Sequence, residues 1–445
     1  MQPRAANAPS GVASLNGQVV AAVVVVQRIK QFVDGIYEQA NALSKATSTP
    51  SSPSSPHAVP TTATDAVDVS TSSNDSPCEA LSLAHDAATL VRAHATKIGL
   101  LIVNTPFTPS AITKVVQELL DQPVPALAQA VALCTGDRYT HRIQRDLALR
   151  CGRVLGQLQL LLEGIPTDGQ VVPEAKRGGG DNSRDRKPRA GNNNGGGAVE
   201  RGSFLQTGVL WSECDDVIAF AKLGVRGRFV QIVDQLADTL QDAMDELKEW
   251  DEEEDDEDDD EDDEDDDGED GAVVEGAAEE PVDGADANQH AATQAVLDAL
   301  MMGANRHIPA DDPQGLRPRL AVALRKLRLV RLLCQAVVKR RLRPLPALPP
   351  APHTSTTPST TPPDVTVRLD RAVAILQRLP DRVGDLAAAF YALDAAAVDT
   401  ALGACVDDAC AAAAVLARPW DGDDTEETGD AFTAWVAKFQ TELRA

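Results

Sequence analysis

Residues 229–250 read FVQIVDQLADTLQDAMDELKEW, and this stretch decides the fold class. Phe229, Ile232, Val233, Leu236, Leu240, Ala243 and Leu247 recur at three- and four-residue steps. That spacing lines one side of an α-helix, whereas a half-buried strand would alternate every second residue. The stripe stops at Trp250, and residues 251–267 are seventeen consecutive Asp or Glu. No core forms from such a run, because like charges repel and extend the chain.

Working outward, the same helical spacing returns on both sides. Residues 205–228 continue the helix upstream, with a bend expected near Gly224 and Gly227. Helices are predicted over 12–46, 78–103, 110–135 and 139–163, the third interrupted at Pro123 and Pro125 because proline removes a donor and clashes with the preceding turn. Downstream, 286–303, 316–343, 364–418 and 428–443 read as helices, turning near Pro380 and Pro419. No stretch alternates as a strand would. Aromatic residues make up only 3% of a chain whose hydrophobic fraction is 43%, mostly Ala, Val and Leu, which suits helices better than strands.

Three segments break the pattern. Residues 47–77 are Ser, Thr and Pro, 168–202 are Gly, Asn and Arg, and 344–363 are Pro, Thr and Ser, so each is expected to be a disordered insert. The organisation that follows is all-α, with two antiparallel helical bundles at 12–250 and 285–445. An acidic disordered linker, 251–284, joins them.

Charge and cysteine usage narrow the function classes. The net charge is −27 over 445 residues, and residues 251–270 alone hold nineteen acids. A chain this acidic is excluded as a duplex-DNA binder, since phosphate contacts need a basic surface. The seven cysteines are scattered and odd in number, with no C-x-x-C pair, so a reducing compartment is expected. The longest strictly apolar run near the N-terminus, Val19–Val26, is too short to span a bilayer and lacks the flanks of a secretory signal. A soluble cytoplasmic and nuclear protein without membrane contact is the expectation. Lys176-Arg177 and the basic residues of 184–189 resemble a split nuclear-import patch.

Signatures of catalysis are missing. No phosphate-loop motif and no G-x-S-x-G elbow occur, and Gly178–Gly180 and Gly195–Gly197 sit in polar sequence with no strand before them. His85 and His94 are nine apart, which does not place two ligands on one helix face. No E-x-x-H pair suggests a di-iron bundle. The chain is therefore expected to be no enzyme, with no catalytic, cofactor or metal residue to nominate.

Two charged features point to partners instead. The acid tract reads either as a solubilising spacer or as a lure for basic proteins such as histones, acting through long-range, salt-sensitive attraction. Residues 316–343 carry ten Lys or Arg and no acid, with Leu320, Leu324, Leu327, Cys334 and Val338 on one face. Arg331 falls on that face, so it must reach the rim or meet a buried carboxylate. Leu329, Leu332 and Ala336 form a second apolar side that needs cover. The acid tract is itself a candidate to shield this helix.

Two segments carry a family resemblance. One runs from Gly208-Val-Leu-Trp211-Ser-Glu-Cys214 through Arg226 to Glu249; the other from Leu369 to Val373 and from Val383 to Tyr391, with a final helix around Trp435. They resemble the cyclin-D-binding protein family, also called Grap2 and cyclin-D-interacting protein. There, too, a Trp-x-x-Cys element leads into an acid-flecked helix followed by an acidic stretch. At lower fidelity the likeness extends over 78–165 and 285–443; the linkers lie outside it, and the acid run is longer here. The resemblance implies an all-helical interaction protein that binds D-type cyclins or helix-loop-helix regulators and restrains the cell cycle. The candidate partner-binding residues are Trp211 and Cys214 in the first segment, and Phe229, Val233, Leu236 and Leu240 on the stripe. Asp251 and Glu261 in the acid tract and Arg325 and Arg328 on the basic helix complete the set.

Overall fold

The computed structural model describes residues 8–46, 79–173, 203–252, 308–309, 311–349, 364–420 and 430–445. Among these residues every regular element is helical and no strand occurs, so the chain is all-α. The elements are α1 (Ala8–Ala46), α2 (Ala80–Val103), α3 (Pro109–Asp121), α4 (Pro123–Leu133), α5 (Gly136–Tyr139), α6 (His141–Glu163) and α7 (Ser203–Glu252). After them come α8 (Leu316–Val337), a π-helical turn (Val338–Leu342), α9 (Asp364–Leu376), α10 (Leu379–Tyr391), α11 (Ala395–Ala417) and α12 (Ala431–Arg444). The helix expected at 286–303, the insert 47–77 and the acid tract beyond Glu252 lie outside the described residues.

The local reasons are largely those of the sequence. Pro109, Pro123 and Pro380 sit in first turns, where a missing N–H costs nothing. Gly224 interrupts α7 with φ +67° and ψ −178°, a backbone state essentially restricted to glycine. Asp394 and Asp430 cap α11 and α12 by accepting from the amides two and three residues on.

The chain divides into two compact units, and neither is a contiguous half. The first is Met1–Val230 with Leu345–Ala374, the second Gln231–Pro344 with Ile375–Ala445. These units differ from the expected bundles at 12–250 and 285–445. Residues 231–250 belong with the second unit, because Trp250 packs its ring against Phe390 and Tyr391 at 6.3 and 5.4 Å. Residues 345–374 belong with the first, because Arg226 donates to the Leu345 carbonyl and Asp370 accepts from the start of α6. Ion pairs and aromatic contacts at such sequence separation leave no periodic trace.

In the first unit α1 lies along α6 and touches α3 and α4, while α2 packs on α3 and α4. Leu15, Val19, Ala22, Val26, Val33 and Ala40 of α1 are buried, on a stripe of three-, four- and seven-residue steps. The first part of α7 is held by Arg92–Asp215 and Arg150–Asp216 ion pairs. Residues 168–173, expected to open a disordered insert, belong instead to the packed fold. Val172 donates to the Ile102 carbonyl at 2.8 Å, and Asn16 donates to the Thr167 carbonyl at 3.0 Å, so residues 167–173 are tied to the core. Likewise Leu345, placed in a linker by composition, is buried.

In the second unit α11 packs against α8, α10 and α12, and α12 also meets α8. Among the described residues two helices, Gly11–Ser44 and Ala395–Ala417, are long and apolar enough by length and composition to cross a membrane. Half of the most apolar window in the second is buried inside the fold, as for a core helix.

Candidate protein-interaction surface

The structure separates the nominated residues into three groups. Cys214, Phe229, Val233, Leu236 and Leu240 are all buried, with exposures between 0% and 5%. They are core residues that hold α7 in place, and as surface contacts they are corrected: the same stripe that makes a helix amphipathic is the part that packing covers. Burial, with Asp215 beside it, pushes the Cys214 thiol up to about 12, so it stays protonated and unreactive.

Trp211 is half-buried under the Arg92 guanidinium, which lies 5.5 Å from the ring centre. Its indole Nε1 is buried without a hydrogen-bond partner among the described residues. Asp251 is half-buried and faces Arg317 at 3.7 Å, while the same arginine donates to the Ile308 carbonyl at 3.0 Å. One guanidinium on the first turn of α8 therefore holds both Asp251, where the acid-rich segment begins, and Ile308. Glu261 lies outside the described residues.

Arg325 and Arg328 are exposed on the outer side of α8 and make no ion pair with another described residue. The inner side is largely as the spacing predicts, with Leu320, Leu327, Cys334 and Val338 buried. Arg331 is half-buried, and its Nε has no partner among the described residues.

The arginine that enters the core is instead Arg341, only 2% exposed. It follows Leu320, Leu327 and Cys334 at seven-residue steps, on the buried side of α8, and lies within the π-helical turn. Its guanidinium donates to the Leu416 and Ala417 carbonyls at 2.6 and 2.7 Å, and to both Asp430 oxygens at 2.6 and 3.0 Å. It thereby satisfies the open C-terminal carbonyls of α11 and grips the residue that caps α12. The Arg341 hydrogen bonds, despite partial burial of the carboxyl, hold Asp430 well below the usual carboxylate range. Trp420 donates to the Arg341 carbonyl at 2.7 Å.

Beside this anchor lies an open groove of about 290 Å³ between α8 and α12. Leu332, Ala336, Phe432 and Trp435 line its apolar part, with Lys339 and Arg340 at the rim. Phe432 lies under Arg341, 4.3 Å from guanidinium to ring centre. Trp435 stacks between Phe432 and Phe439 at 5.6 and 5.1 Å. None of the groove residues was among the nominated ones. Two signals point to it: the second apolar side of α8 at Leu332 and Ala336, and the aromatic spacing 432, 435, 439.

Elsewhere, His94 is a core histidine whose Nδ1 meets the Leu90 carbonyl at 2.8 Å and whose Nε2 meets Glu118 at 3.2 Å. Among the described residues no cluster of three His, Cys, Asp or Glu side chains is placed to hold a metal ion.

No protein-family model matches the chain. It is similar to an uncharacterized protein of Schizosaccharomyces pombe, with 27% identity over 163 residues. That similarity covers 37% of this chain and spans 42% of the other protein's length.

Proposed function

We propose that the chain is a non-enzymatic helical interaction protein of the cyclin-D-binding kind, regulating cell-cycle progression or transcription by binding cyclin or helix-loop-helix partners. The observation that carries the reading is the outer side of α8, where Arg325, Arg328, Lys339 and Arg340 stand exposed beside an open aromatic groove. Hot spots of protein interfaces are built from such aromatic and arginine side chains. The resemblance of residues 208–249 and 369–391 supplies the partner class. Titrating purified full-length chain against a D-type cyclin and against a helix-loop-helix dimer, by interferometry, tests it. Saturable binding of either supports the reading; absence of both defeats the partner assignment.

A second reading, an acidic escort for basic proteins such as histones, is favoured by the nineteen acids of residues 251–270. Such a tract attracts a cationic partner over a Debye length and releases it as salt rises. Replacing residues 253–270 by a neutral Gly-Ser segment would then abolish histone binding, and unchanged affinity would exclude this role.

A further inference from the structure

The second apolar side of α8 is left partly uncovered. Leu332 is 46% exposed and Val322 42%, on a helix whose opposite side is fully packed. The α12 aromatics wall the groove next to Leu332, and the wall is fixed in advance: Phe432 is held under the buried Arg341, and Trp435 is stacked on both sides. Rigid aromatic anchors of this kind lose little entropy on binding. The two charged side chains that line the groove are both cations. Lys339 and Arg340 stand on the rim, and Arg325 and Arg328 extend the cationic strip along α8; none of the four pairs with an acid among the described residues.

We propose that the groove between α8 and α12 docks an acidic peptide of a partner protein, one that carries a bulky apolar side chain. The carboxylates would face Lys339, Arg340, Arg328 and Arg325, while a Leu, Phe or Trp side chain would fill the space over Trp435, Phe432 and Leu332. Charge complementarity selects the acidic character, and the apolar floor selects the anchor. The chain's own acid tract satisfies only the first requirement, since residues 251–270 contain no apolar side chain. It would compete for the cations without filling the groove. The assignment rests on the reading of the chain as an interaction protein, but it needs no cyclin and is measured without one.

The probe is a fluorescein-labelled synthetic helical peptide with glutamates on one side and Leu and Phe on the other. An all-glutamate peptide of equal length is the control, and anisotropy is read on the full chain. The anchored peptide should bind saturably, and the control about tenfold or more weakly. The double variant K339E/R340E should weaken binding by about tenfold or more, as expected when paired charges are reversed. Because these side chains are exposed, the fold should be unaffected, and an unchanged circular dichroism melt checks this. Leu332→Ser, a neutral change also at an exposed position, should lower affinity for the anchored peptide while leaving the control unchanged. Equal binding of both peptides, or affinities indifferent to K339E/R340E and to Leu332→Ser, would overturn the proposal. So would binding seen only after residues 253–270 are replaced by a neutral segment, which would assign the surface to the acid tract.

Discussion

The Asp370 carboxylate accepts a 2.7 Å hydrogen bond from the backbone N–H of His141, a residue 229 positions earlier. A second bond from the Arg142 amide, at 3.4 Å, reaches its other oxygen. These amides open α6, so a side chain on α9 satisfies donors that a helix normally leaves to its own cap. Thr140 completes the cap by accepting from Ile143 at 3.2 Å.

Asp370→Ala should therefore cost about 1–2 kcal/mol, the range for a lost cap. Burial pushes the Asp370 carboxyl up, against the bonds from His141 and Arg142. A neutral acceptor is thus tolerated better than none, and Asp370→Asn should cost less than Asp370→Ala. Urea unfolding followed by circular dichroism measures both.

Arg341→Ala should destabilise by about 2–4 kcal/mol, because buried carbonyls at the end of α11 lose their donors. Arg341→Lys should not rescue, since an ammonium lacks the planar fork that reaches both the carbonyls and both carboxylate oxygens. Thermal melts of the three proteins decide this, and full rescue by lysine would show that charge alone suffices.

Asp430 gives the fold a signed pH dependence. Its carboxyl is depressed in the folded state, chiefly by the Arg341 hydrogen bonds. The stabilisation is present above the unfolded carboxylate value of about 3.9 and is lost as pH falls below it through the folded value. Asp430→Asn should accordingly be less stable than the parent at neutral pH and should lose less stability between neutral pH and about pH 2–3. Urea midpoints across that range are the measurement.

Gly136 is a packing requirement. A Cβ there would overlap the imidazole of His141, which begins α6. Gly136→Ala must displace that ring, at a cost of about 1–3 kcal/mol for overpacking. Gly384→Ala, where a Cβ would meet open space, is the control and should be near neutral or stabilising in a thermal melt.

The cysteines should report on folding. Burial pushes the thiols of Cys151, Cys214, Cys334 and Cys405 up to about 12. The reactive form is the thiolate, so iodoacetamide should label these positions slowly in the native chain and rapidly in urea. Peptide mass spectrometry resolves each site, and fast native labelling at Cys214 would contradict its place in the core.

The sequence by itself determined that the chain is helical and where most helices begin and bend. The stripe from Phe229 to Leu247, the prolines at 109, 123 and 380, and Gly224 act through neighbours a few residues away, so their effect is local and periodic. It also placed Leu332 and Ala336 on a second apolar side. Which surface stays open was decided only by tertiary structure. The stripe nominated for contact, Phe229 to Leu240, is covered by packing, whereas Leu332 stays exposed in a groove that it lines with Trp435, from a helix a hundred residues later. The same holds for the partners of Arg341, the end of α11 and Asp430, and for Asp370, which caps a helix 229 residues before it. Contacts of that kind depend on how helices come together in space, and no spacing along a single helix encodes them.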